Sequence, residues 1–161
     1  GDEKSMLSMH LQKYINYIKD EKEITLDAIQ NLSSRTKEYT IFDLQNELAK
    51  GSKAASLDII IKLIDAGMDM VYINIMLTKY FSTILQSIEH ARNKLSDWDA
   101  VKLMDVSYGY YMNCKKTKYF MNETKLFNSL QALLKADLAK KSSAADEKTI
   151  ASSLIAEIFQ K

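Results

Sequence analysis

The chain has 161 residues, room for one compact domain or for a domain with part of a neighbour. Its composition, 47% apolar and 27% charged, excludes wholesale disorder and supplies a real core. With 22 basic and 21 acidic side chains the formal charge is +1, so any nucleic acid or anionic membrane would have to be held by a local patch. The single cysteine, Cys114, excludes an internal disulfide and fits a reducing cytoplasm. The opening Gly-Asp-Glu-Lys-Ser lacks an initiator Met and a signal-peptide pattern, and reads as the start of an excised piece. The most apolar run, Met70 to Leu77, contains Asn74 and soon meets Thr78 and Lys79, far short of a membrane span.

No proline interrupts the chain, and Gly51, Gly67 and Gly109 are its internal glycines. Long stretches without either breaker favour helices. In chain order, the spacing predicts helices near 6–19, 25–35, 41–50, 53–66, 70–92, 97–104, 107–119, 123–142 and 147–160. Starts are expected at Thr25, Thr40, Ser52, Ser96, Asn122 and Asp146, whose side-chain oxygens suit the orphan amides of a first turn. Thr40 with Asp43 and Ser96 with Asp99 are shorter relatives of a capping box. Gly51 and Gly67 stand just past helix ends, where a left-handed backbone is needed.

Four apolar stripes are expected to face the core. They are Leu57, Ile60, Ile61 and Ile64; Ile73, Leu77, Tyr80, Ile84 and Ile88, widened by Phe81 and Leu85; Phe127, Leu130, Leu134 and Leu138; and Ile150, Leu154, Ile155, Ile158 and Phe159. No segment alternates with period two between hairpin turns. The expected fold is all-α, a helical bundle of about eight or nine helices.

The chemistry that remains is sparse. There is no glycine-rich phosphate loop, and His10 and His90 have no second ligand at a metal-binding helical spacing. A Cys114–His90 pair is weighed against a semi-buried thiol and a surface imidazole, and the bland reading is favoured. No catalytic, cofactor-binding or metal-binding residue is assigned. One segment interleaves aromatics with bases: Tyr108, Tyr110, Tyr111, Tyr119 and Phe120 with Lys115, Lys116 and Lys118. Tyr108, Tyr111, Lys115, Lys116 and Lys118 are the candidate surface, for a protein partner or for single-stranded nucleic acid, beside the plain reading of a core edge with a solvated lysine face. Asp137 lies on or beside an apolar stripe and needs a donor; Lys141 at i+4 is the expected structural partner, with Lys140 close by.

The order of segments resembles one family. Glu23-Ile24-Thr25-Leu26-Asp27-Ala28-Ile29 is similar to the closing helix of an AAA+ lid subdomain. Tyr39-Thr40-Ile41-Phe42-Asp43-Leu44, then Gly51 and the run from Lys53 to Leu63, resembles the opening of the collar domain in delta subunits of the bacterial DNA polymerase III clamp loader. Leu126-Phe127-Asn128-Ser129-Leu130 and Leu134-Lys135-Ala136-Asp137-Leu138-Ala139-Lys140-Lys141 are similar to a late segment of the same domain. The stretch from Trp98 to Phe120 departs most from the pattern.

The resemblance implies residues 1–38 as the tail of a lid subdomain and 39–161 as a helical collar domain. It implies an assembly role without catalysis, in a cytoplasmic replisome, with delta-prime and ATPase motor subunits as partners. The sliding clamp and DNA would be met through the full subunit or complex, no membrane would be involved, and the isolated piece would be mainly a monomer. Rival readings are a generic helical adaptor, a small helical enzyme built on Cys114 or a carboxylate, and a nucleic-acid binder built on the Tyr/Lys segment.

Overall fold

The computed structural model describes residues 39–142 and 144–160. The chain divides between Glu38 and Tyr39. The expected helices near 6–19 and 25–35, with Thr25 and His10, lie outside the described residues. Among those described there are seven helices and no strand: α1 Ile41–Lys50, α2 Lys53–Asp65, α3 Met70–Arg92, α4 Asp97–Met104, α5 Tyr108–Lys115, α6 Glu123–Ser142 and α7 Glu147–Ile158.

Local chemistry accounts for the ends. At α1 the box is complete: the Thr40 amide donates to Asp43 Oδ2 at 2.8 Å, and the Asp43 amide to Thr40 Oγ1 at 3.3 Å. Asp thus serves where Glu is usual. Ser96, Ser107 and Asp146 cap α4, α5 and α7 with their side chains, and Asn122 receives the Lys125 amide at 3.2 Å. Ser52 precedes α2 without a side-chain capping bond; its carbonyl instead accepts the Ser56 hydroxyl at 2.8 Å. Gly51 and Gly67 adopt φ of +76° and +89°. In each case the next residue's amide reaches back to an orphan carbonyl, Ser52 to Glu47 at 3.1 Å and Met68 to Leu63 at 3.0 Å.

Five helices close a cycle: α1 packs on α2, α2 on α7, α7 on α6, α6 on α3, and α3 back on α1. The long α3 is central, and buries Ile73, Leu77, Tyr80, Phe81 and Ile84. Leu44, Leu48, Ile60, Leu63, Leu126, Leu133, Leu154 and Ile155 complete the core around it. The short helices α4 and α5 stand outside the cycle, packed on α3 and on each other.

Three expectations are corrected. The α6 stripe of Phe127, Leu134 and Leu138 faces outward, with exposures of 60%, 60% and 54%, and Leu130 is only partly buried. The buried face carries Leu126, Ser129, Ala132, Leu133 and Ala136, because small side chains let α3 and α7 approach closely on either side. On α2 the buried set is Ser56, Ile59, Ile60 and Leu63, with Leu57, Ile61 and Ile64 at the core's margin. The helix expected over 107–119 ends at Lys115, since the chain leaves it to place Thr117 and Phe120 in the interior. Phe120 meets Phe81 edge-on, with ring centres 4.9 Å apart.

Candidate interaction site

The described residues hold no cluster of three or more His, Cys, Asp or Glu able to bind a metal. Cys114 is buried, and burial pushes its thiol up to about 11, leaving essentially no thiolate at neutral pH. His90 lies in the last turn of α3, half-buried. No described helix is long and apolar enough to cross a membrane.

The five sequence candidates separate into two groups. Tyr111 is fully buried; its hydroxyl donates to Asp97 Oδ1 at 3.2 Å. Lys115 Nζ donates to the same oxygen at 2.6 Å and lies 5.4 Å from the Tyr111 ring centre. Asp97, the first residue of α4, therefore locks α4 to α5, and the Lys115 ammonium holds its carboxyl below the ordinary carboxylate value. Tyr108, Lys116 and Lys118 remain exposed.

Sequence reasoning passed over Tyr108's main partner. Trp98 stacks on it with ring centres 4.6 Å apart and an interplanar angle of 18°, yet stays 64% exposed. Its signal was available: a tryptophan among aspartates, one residue into a helix, is poorly explained as core.

The second surface is the outward ridge of α6. Asn74 on α3 donates to the Leu133 carbonyl at 3.2 Å, and Met70, Val71 and Asn74 share a notch with Ala136, Asp137 and Lys140. Exposed Val71 and Ile75 on α3 therefore run along the same side as Leu134 and Leu138 on α6. Asp137 sits at this seam, half-buried, and accepts from Lys141 Nζ at 2.6 Å. Lys140, at the same notch, pairs with Glu147 of α7.

Residues 38–158, spanning all seven helices, match the family model described as DNA polymerase III delta subunit, C-terminal domain. The chain belongs to this delta C-terminal family. A relative is the DNA polymerase III subunit delta of Bacillus subtilis, 31% identical over 83 residues, covering 52% of this chain and 24% of that protein. Among solved structures, the Bacillus subtilis DNA clamp loader delta protein superposes with a TM-score of 0.67 at 22% identity, covering 95% of this chain and 45% of that one. The likeness in structure establishes the fold. This delta C-terminal chain thus spans less than half the length of either relative, and both surfaces described above lie within the family match.

Proposed function

We propose that this chain is an assembly module of a bacterial clamp loader, with 39–161 forming the collar domain and 1–38 the tail of the AAA+ lid that precedes it. In this reading it performs no chemistry. It holds the delta subunit in a ring with delta-prime and the ATPase motor subunits in the cytoplasm, while clamp opening, ATP hydrolysis and DNA contact involve the rest of the subunit and complex.

One observation carries the reading: the apolar side formed by Val71 and Ile75 with Phe127, Leu134 and Leu138. A helix that presents three large apolar side chains to water at i, i+7 and i+11 has a second apolar face beyond the one its own bundle uses. Burying each leucine against a neighbour would contribute roughly 1.5–3 kcal/mol. A collar domain flanked by unlike neighbours needs such a face, with no requirement that it be self-complementary. The Tyr108–Phe120 segment serves this role less well, because Tyr111 and Phe120 are buried.

The test is association of the chain with purified delta-prime and motor subunits, followed by co-elution and calorimetry. Leu134→Lys and Leu138→Lys should each weaken assembly at least tenfold while leaving the helical signal intact. A folded chain that binds neither partner, or one that forms a tight symmetric dimer through α6, would favour a generic adaptor instead.

A further inference from the structure

The two short helices outside the five-helix cycle are not held alike. α5 has a seat of its own on α3 and buries Tyr111 and Cys114. α4 buries Ala100 alone, and leaves Trp98 and Leu103 64% and 70% exposed. A helix of eight residues is not stable by itself in water, because the cost of its first turn is not recovered over so short a length. α4 therefore stays helical only while its neighbours hold it down.

The hold is narrow. Asp97 Oδ1, in the first turn of α4, receives both Lys115 Nζ at 2.6 Å and the Tyr111 hydroxyl at 3.2 Å, so both bonds to α5 end on one oxygen. Trp98 stacks on Tyr108, but rings that remain largely in water lose little when they separate. Against this hold stands a strain found at the same place. Among the described residues, the non-glycine residues with a positive φ are Lys94, at 55°, and Asp105, at 48°. They lie in the two connections that bracket α4. A left-handed backbone is unfavourable for a residue with a side chain, and the docked form of α4 contains two of them. Release of α4 relieves both. It also turns residues 93–106 into a connection of about 50 Å at full extension, ample for α4 to leave while α3 and α5 keep their places.

We propose that α4 is a strap, latched by the Asp97 carboxylate to Lys115 and Tyr111, that opens as a unit about Lys94 and Asp105 while the five-helix cycle and α5 remain folded. The open form frees the Tyr111 hydroxyl and uncovers the surface of α3 and α5 on which Ala100 sits. The experiment is hydrogen exchange of the whole chain, read amide by amide by NMR. In the parent chain, Val101 to Met104 should exchange at least roughly a hundredfold faster than Leu77 to Ile84 after correction for intrinsic rates. Their exchange should depend little on denaturant, because opening the strap exposes little new surface. Asp97→Asn should speed the α4 amides roughly tenfold, and Tyr111→Phe, which removes only the hydroxyl, roughly threefold. Ile155 is fully buried on α7, within the cycle. Ile155→Val should speed the α3 amides roughly fivefold and leave those of α4 unchanged. The proposal is overturned if the α4 amides are as protected as those of α3, or if they accelerate in step with α3 in Ile155→Val. Parent exchange rates for α4 in both Asp97→Asn and Tyr111→Phe would overturn it as well.

Discussion

The α-carbon of Gly51 lies so close to Tyr119 that a methyl group built on it would stand 2.6 Å from the ring's Cδ2. Tyr119 cannot swing aside freely: its ring packs against Phe120 at 4.9 Å and Phe159 at 5.3 Å, and Lys125 Nζ lies 3.7 Å from its centre. Gly51 therefore answers two demands, a left-handed backbone that ends α1 and a gap that admits an aromatic ring from the α5–α6 connection. Gly67 answers only the first, since nothing lies within 4 Å of its missing side chain.

Gly51→Ala is accordingly expected to destabilise by roughly 3 kcal/mol, the sum of backbone strain and overpacking, and Gly67→Ala by about 1 kcal/mol from strain alone. Urea denaturation of the two variants measures the difference. Equal losses would mean that the Tyr119 contact yields without cost.

Lys94 adopts a φ of 55° at the end of α3, where its amide and that of Leu95 reach back to Ala91 and His90. A side chain in that conformation is strained, and glycine relieves it. Lys94→Gly should raise stability by roughly 0.5–1 kcal/mol after the larger chain entropy of glycine is counted. A lower midpoint in denaturant would refute the assignment of strain.

Asp97 accounts for part of the acid response. The hydrogen bond from Lys115, its charge and the Tyr111 hydroxyl hold the Asp97 carboxyl below its ordinary value. A depressed carboxylate contributes stability that is fully present above the ordinary carboxylate pKa and is lost as pH falls through the lowered one. Asp97→Asn should reduce stability at pH 7 and give a shallower further loss below about pH 4 than the parent chain. Asp146, lowered in the same direction by Thr149, keeps that slope from vanishing. Thermal melts across the acid range provide the comparison.

At the alkaline end Cys114 matters. Its folded value of about 11 stands above the ordinary 9.0, so the stability it contributes is intact below pH 9 and declines between pH 9 and 11, by roughly 3 kcal/mol in total. Burial also pushes the Tyr80 and Tyr110 hydroxyls upward, which steepens the same limb. Cys114→Ser or Cys114→Ala should soften the decline. In the native chain a thiol reagent at pH 8 should label Cys114 only at the rate of unfolding, and rapid labelling without denaturant would contradict its burial.

Among the described residues, the sequence by itself determined seven helices and most of their ends, the end of α5 excepted. The Thr40–Asp43 box, the Ser96 cap of α4 and the glycine ends of α1 and α2 are hydrogen bonds between residues a few positions apart, and such bonds are written locally. It also carried enough ordered resemblance to reach the delta family. The side of α6 that turns inward was decided by the tertiary structure. Leu126 with Leu133 and Leu134 with Leu138 are equally apolar and equally periodic, and only the small Ser129, Ala132 and Ala136 between two neighbouring helices select the first. The same holds for Tyr111, Trp98 and Tyr108: composition marked an aromatic and basic segment, while the lock on Asp97 and the stack outside it required α4 to meet α5 at one particular angle. Closure of the bundle, α2 against α7, joins residues some ninety positions apart, and no local pattern specifies a contact at that range.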